Sequence, residues 1–144
     1  MKKILIGFMC VVVLFIMGCS NNGVTGGVAV EEVIKIPVSE LTDQIQKFDY
    51  DVDGAAVTYF AVLGMDGEVR TAFDACDVCG GKKGYNQQGF NVVCKNCGQR
   101  FLINDLGTKN APGGCWPSNL DHTIEEGQVV IKTADLARNM FRFK

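Results

Sequence analysis

The chain has 144 residues, a formal net charge of −2 and seven cysteines. Its length suits a single domain. The slightly acidic balance lacks the basic footprint of a nucleic-acid-binding protein, so we expect no nucleic-acid partner.

The N-terminal segment has the layout of a secretion signal. Two lysines follow the first methionine, and an apolar run of fourteen residues extends from Ile4 to Met17. A membrane-spanning helix needs about 20 apolar residues, so a signal peptide over residues 1–18 is the better interpretation. The run ends in Met17-Gly18-Cys19, which resembles a lipobox and predicts a lipid on Cys19. The alternatives are an uncleaved short anchor and a signal that is cut elsewhere.

The predicted lipid anchor indicates the compartment of the protein. Two acyl chains on Cys19 would hold the protein at a membrane surface outside the cytoplasm. Residues 19–27, rich in Gly and Asn, then form a flexible tether, and residues 28–144 form one domain. Paired thiols oxidise in such compartments, and thiols that stay reduced there are best protected by a metal.

Strand signals dominate the body of the chain. Val57–Leu63 is apolar on both faces and is therefore expected to be a central strand. The Asp-Gly pair in Gly64–Gly67 tolerates positive φ and predicts a hairpin turn. A short helical turn is predicted over Gln44–Phe48 and a short helix over Ala134–Phe141. The remaining predicted strands lie in Val28–Val38, Glu68–Ala75, Phe90–Val93, Arg100–Ile103 and Gln128–Lys132. The fold class is mainly β, with a small α+β domain as the alternative.

Two features imitate metal sites. Asp49–Gly54 matches the first half of a calcium-binding EF-hand loop, which needs a bidentate Glu at its twelfth position. That position is Phe60, so we interpret the segment as an acidic turn. His122 is the one histidine, and we interpret it as a surface residue, with an extra metal ligand as the alternative.

Four cysteines carry the chemistry. They form Cys76-Asp-Val-Cys79-Gly and Cys94-Lys-Asn-Cys97-Gly, the first and second knuckle. Each knuckle can place two thiolates on one metal ion, and together they supply a tetrahedral set of four sulfurs. The glycine after each pair permits the sharp turn that wraps a chain around a metal. We therefore expect a compact β-rich domain with a two-knuckle, four-cysteine metal site.

Other residues near the knuckles have open roles. Cys115 follows two glycines outside both knuckles. It could replace a ligand, act as a redox thiol, or be a buried core cysteine. Trp116 is expected to be a packing residue, with a lid over the site as a further role. Basic residues that flank the knuckles are interpreted as solvated loop charges that also offset a thiolate site's negative charge; these are Lys82, Lys83, Lys95 and Arg100.

These motifs together resemble a known family. The segments are Asp74–Tyr85 (DACDVCGGKKGY), Asn91–Asn104 (NVVCKNCGQRFLIN) and Gly113–Pro117 (GGCWP). They resemble the FtrD-like family of membrane iron–sulfur-containing proteins, named after an accessory protein of a bacterial iron-uptake system. The resemblance implies an extracytoplasmic iron–sulfur or iron centre and electron transfer linked to iron transport. The implied ligands are Cys76, Cys79, Cys94 and Cys97, and Cys115 matches a further family cysteine.

Three functions compete. The first is a non-enzymatic electron carrier with an iron–sulfur cluster or a mononuclear iron, beside a membrane redox or iron-transport partner protein. The second is a structural zinc ribbon without redox activity. Spacing alone favours zinc, whereas location and family resemblance favour iron. The third is a thiol–disulfide oxidoreductase, which needs one cysteine pair at a helix start and not two glycine-ended knuckles.

Overall fold

The computed structural model describes residues 31–76, 78, 83–107 and 115–144. The chain is mainly β across these ranges, which confirms the predicted fold class. The strands are β1 (Val33–Pro37), β2 (Gln46–Val52), β3 (Ala55–Leu63), β4 (Val69–Cys76), β5 (Tyr85–Gln88), β6 (Asn91–Cys94), β7 (Arg100–Leu102), β8 (Pro117–Asn119), β9 (Thr123–Glu125) and β10 (Gln128–Lys132). One α-helix, α1 (Thr133–Asn139), follows them. The 3₁₀ turns are Val38–Glu40, Ile103–Asp105 and Met140–Phe143.

The described strands form three antiparallel sheets. The central sheet has the order β2-β3-β4-β8, a second sheet has the order β1-β10-β9, and a third has the order β5-β6-β7. β3 pairs with β2 on one side and with β4 on the other, so the predicted central position of Val57–Leu63 is confirmed.

The central sheet separates two hydrophobic cores. Side chains alternate between the two faces of a strand, and β3 is apolar on both. Val57, Tyr59 and Ala61 face the main core, which also includes residues of β1, β10 and α1. Phe60 and Val62 face a second core, formed with residues of β4 to β7. Because it contains Cys76 and Cys94, we call it the cysteine core.

Tight turns connect the strands of the central sheet. The Gly64–Gly67 turn is confirmed, with Gly64 N–H donating to Glu68 O at 2.8 Å and Gly67 at φ +80°. The turn between β2 and β3 has Asp53 at φ +50° and Gly54 at φ +81°. The interpretation of Asp49–Gly54 as an acidic turn therefore holds only for its last two residues, because Asp49–Val52 belong to strand β2. Phe60 is fully buried in β3.

The predicted helical turn over Gln44–Phe48 is wrong. Gln46 opens strand β2, which pairs with β3 from Gln46↔Ala61 to Val52↔Ala55. The alternating burial of β2 has the period of a strand with one face on a core. By contrast, the predicted terminal helix is present as α1 and the 3₁₀ turn after it.

The signal peptide over 1–18, Cys19 and the 19–27 tether lie outside the described residues. So does the predicted start of the domain at Val28. Within the described ranges, no helix is both long enough and apolar enough to cross a bilayer.

Candidate metal centre

The second knuckle is a closed turn between β6 and β7. Gly98 N–H donates to Cys94 O, and Cys94 N–H donates to Gln99 O, both at 2.9 Å. Gly98 has φ +74°, a conformation that glycine adopts without strain. The glycine that ends this motif is therefore required by the backbone.

The thiol of Cys94 lies at the centre of this turn. Cys94 is buried, and burial raises its pKa above the usual value. The backbone N–H groups of Cys97 and Asn96 act in the opposite direction, since they hydrogen-bond to the Cys94 sulfur and favour its thiolate. The Cys97 side chain is exposed and interacts with the same sulfur. The second knuckle thus brings two thiols together, with amide donors aimed at the inner one.

The first knuckle begins at the end of β4. Cys76 is the last residue of that strand and is 6% exposed. Cys79 lies outside the described residues, and so does Lys82. Lys83 donates from Nζ to Asn96 Oδ1 at 2.5 Å and so links the return of the first knuckle to the second. Lys83, Lys95 and Arg100 are exposed as predicted, but Arg100 opens strand β7 and does not lie in a loop.

Cys115 joins the same core. Cys76 pairs with Pro117 across β4 and β8, and this register places the segment before β8 beside the end of β4. Cys115 is half-buried and packs against the cysteine core with Trp116. The ring centroids of Trp116 and Phe101 are 4.6 Å apart, which agrees with the predicted role of Trp116 as a packing residue.

Tyr85 contacts this group of cysteines; it ends the motif segment Asp74–Tyr85, but the motif predicted no role for it. It pairs with Cys94 across β5 and β6, and it is fully buried. Its hydroxyl donates to Cys115 O at 2.6 Å. The pKa of Tyr85 lies far above its usual value, first because of burial, then because of the charge of Cys76 and a hydrogen bond with that side chain, and finally because of the charges of Cys94 and Cys115. The phenol therefore keeps its proton beside the thiols.

An ion pair holds the backbone of Tyr85. Asp74 Oδ1 accepts the Tyr85 N–H at 2.7 Å, and Asp74 Oδ2 accepts from Lys47 Nζ at 2.5 Å. The same Lys47 Nζ donates to Tyr85 O at 2.8 Å. Gly84 has φ +66°, and its backbone passes so close to Asp74 that a Cβ would lie 2.5 Å from Oδ2. We call Lys47, Asp74 and Gly84 the β5 clamp, because they fix the start of β5 against the end of β4.

His122 belongs to a different part of the molecule. It is half-buried, and its Nδ1 lies 2.8 Å from Thr71 Oγ1. Burial lowers the pKa of His122. The ring lines a polar cavity of about 420 Å³ with Arg70 and Asp121. His122 is therefore less exposed than predicted, and its described contacts do not include a cysteine.

The family described as membrane iron–sulfur-containing protein FtrD-like matches residues 41–143. The chain belongs to this family. The resemblance drawn from the motifs is thereby confirmed, and the family name describes a membrane iron–sulfur protein. No curated protein matches the FtrD-like chain significantly in sequence.

One solved structure of limited similarity is a Rieske oxygenase. A crystal structure of the quaternary ammonium Rieske monooxygenase CntA with an inhibitor matches the FtrD-like chain at 17% identity and a TM-score of 0.49. The match covers 75% of this chain and 33% of the oxygenase chain, so the FtrD-like chain spans about a third of that protein. This likeness is too low to assign a fold or an activity.

The donor chemistry fits the group that the family name implies. Thiolates are the ligands of iron–sulfur clusters, and hydrogen bonds to their sulfurs are part of such sites. Cys94 receives those hydrogen bonds from Asn96 and Cys97. Among the described residues, no three side chains of the His, Cys, Asp and Glu types converge to hold a metal ion. Cys76, Cys94 and Cys97 are described but do not form such a group, and Cys79 lies outside the described residues, so the four-cysteine ligand set stays a prediction.

Proposed function

We propose that this protein is an extracytoplasmic, lipid-anchored iron–sulfur or Cys-ligated iron protein that carries electrons for a membrane iron-transport system. Cys76, Cys79, Cys94 and Cys97 would hold the metal. The observation that carries the proposal is the second knuckle of a chain that belongs to an iron–sulfur family. Its buried Cys94 sulfur accepts amide hydrogen bonds and lies beside the exposed Cys97.

This geometry suits electron transfer. Iron bound to thiolates exchanges one electron at a potential set by charge, exposure and hydrogen bonds to sulfur. Cys94 is buried and hydrogen-bonded, whereas Cys97 reaches the protein surface. A centre held between them would be shielded from solvent on one side and accessible to a partner on the other. We therefore interpret the protein as a carrier and not as an enzyme.

The anchor would serve the same function. A lipid on Cys19 and a short tether would keep the domain next to a membrane redox or iron-transport partner. Tethering raises the effective concentration of the carrier at its partner without any new contact.

A structural zinc site is the second candidate. The spacing of the two Cys-x-x-Cys-Gly knuckles is also typical of zinc ribbons, whose four thiolates only stabilise the fold. A dithiol oxidoreductase is less well supported, because Cys94 ends a strand and does not begin a helix.

Metal analysis and voltammetry of anaerobically purified protein test the proposal. We expect iron, a brown or red colour and bleaching on reduction. The Cys94→Ser variant should lose the metal, because metal binding and folding are coupled in such sites. A colourless protein with one zinc per chain and no redox signal would refute electron transfer and support the zinc ribbon. Full metal occupancy in Cys94→Ser would refute the ligand assignment.

A further inference from the structure

We propose that the Tyr85 hydroxyl positions Cys115 beside Cys76 and Cys94 and thereby tunes the metal centre. Tyr85 and Cys115 both lie outside the two knuckles. The part of the proposal about the centre's potential rests on the proposed function, whereas its part about Cys115 rests only on contacts within the chain.

The Tyr85 ring is held on all sides. Phe60 and Phe101 contact it edge-on, with ring centroids 6.5 and 6.4 Å away. Its backbone N–H and carbonyl are both bonded by the β5 clamp, at 2.7 and 2.8 Å. A ring fixed by packing and by two backbone bonds places its hydroxyl at one point, so the hydroxyl can act as a positioning group.

That point lies among the cysteines. The hydroxyl donates to the carbonyl of Cys115, 30 residues away in sequence. The Tyr85 side chain hydrogen-bonds with that of Cys76, Tyr85 pairs with Cys94 across β5 and β6, and all three residues belong to the cysteine core. Tyr85 therefore connects the end of β4, the end of β6 and the segment before β8.

The hydroxyl, and not the ring, distinguishes this residue from an ordinary core aromatic. Phenylalanine would keep the contacts with Phe60 and Phe101 at the same position. A buried phenol costs free energy unless it finds a hydrogen-bond partner, and this one has the Cys115 carbonyl. With that bond, Cys115 is held at the cysteine core; without it, Cys115 would move more freely and its thiol would be more accessible.

The test removes the hydroxyl of one tyrosine at a time in the full-length, metal-loaded protein. Tyr85→Phe removes the hydroxyl at the cysteines, and Tyr59→Phe, the control, removes one from the main core. Alkylation of Cys115 by iodoacetamide is followed by peptide mass spectrometry. We expect unchanged metal content in both variants. Cys115 should react about five-fold faster in Tyr85→Phe alone, because losing one typical hydrogen bond changes the equilibrium between the held and the free segment by about that factor.

The midpoint potential separates positioning from a direct effect. Tyr85→Phe should shift the potential in the wild-type background and leave it unchanged in a Cys115→Ser background, because coupled residues give non-additive effects. An equal shift in both backgrounds would show that the hydroxyl acts directly on Cys76 or Cys94, and would overturn the proposal. Equal rates of Cys115 alkylation in Tyr85→Phe and Tyr59→Phe would also overturn it. A protein that holds redox-inactive zinc would refute the proposed function, while the alkylation rates would still decide the role of Tyr85.

Discussion

Replacing Gly84 by alanine should disrupt the β5 clamp. A Cβ at this position would lie 2.5 Å from Asp74 Oδ2 and 2.6 Å from its Cγ and Oδ1. The carboxylate cannot swing aside freely, because Asp74 is 8% exposed and bonds Tyr85 and Lys47. The substitution must therefore displace Asp74 or move the start of β5.

The expected loss of stability has two parts. A left-handed backbone costs any L-residue roughly 1–2 kcal/mol, and Gly84 has φ +66°. Displacing Asp74 leaves the buried Tyr85 N–H without its acceptor, which costs about 1–3 kcal/mol. Gly89→Ala is the matched control, because Gly89 also has positive φ, +57°, but no heavy atom lies within 4 Å of its Cβ position. Gly84→Ala should thus exceed Gly89→Ala by about 1–3 kcal/mol, the cost of the lost acceptor.

Urea unfolding at constant metal loading measures the difference. An Asp74→Ala background removes the clash, so the cost of Gly84→Ala should fall there to that of Gly89→Ala. Equal costs of the two glycine substitutions in the wild-type background would refute the reasoning. So would strict additivity of Gly84→Ala and Asp74→Ala.

Three further predictions concern other sites. Cys97→Ser should lose metal, as measured by metal content per chain, whereas Cys115→Ser should keep it; full occupancy in Cys97→Ser would contradict the ligand set. Cys19→Ala should block lipidation and anchoring, and mature protein with an unmodified Cys19, seen by mass spectrometry, would contradict the lipoprotein prediction. Burial lowers the His122 pKa in the folded state, so the unfolded chain takes up a proton first and stability should fall as the pH drops below about 6.5. His122→Gln should flatten this dependence in urea unfolding, and a parallel decline in the variant would refute the assignment.

Local sequence signals predicted the parts of the fold that depend on local chemistry. The Asp-Gly turn after β3 and the apolar strand Val57–Leu63 were predicted correctly, because turn glycines and continuous hydrophobic runs act over a few residues. Strand β2 was mistaken in part for a helical turn. The lysine and the two aspartates of β2 are exposed, and β2 lies at the edge of the central sheet. The segment is therefore a strand because its backbone pairs with β3, and not because of its own hydrophobic pattern.

The candidate site shows the same division. The Cys-x-x-Cys-Gly pattern predicted the second knuckle, because its two cysteines and its turn lie within five residues. Tyr85, Asp74 and Gly84 lie in a quoted motif, but the roles of Tyr85 and of the β5 clamp were not predicted. Lys47 and Asp74 are 27 residues apart, and Tyr85 reaches Cys115 across 30 residues. Contacts of this kind follow from sheet register, which a single sequence does not reveal.

The pairing of β1 with β10 has a consequence for the way this chain folds. Thr133 donates two hydrogen bonds to Glu32 O, 101 residues away, and β1 meets β10 along its whole length. β1 is synthesised long before its partner, so it cannot pair until nearly all of the domain has been made. Contacts so distant in sequence slow folding. Closing this sheet therefore requires both ends of the domain, so a chain truncated before β10 would leave β1 without the strand it pairs with.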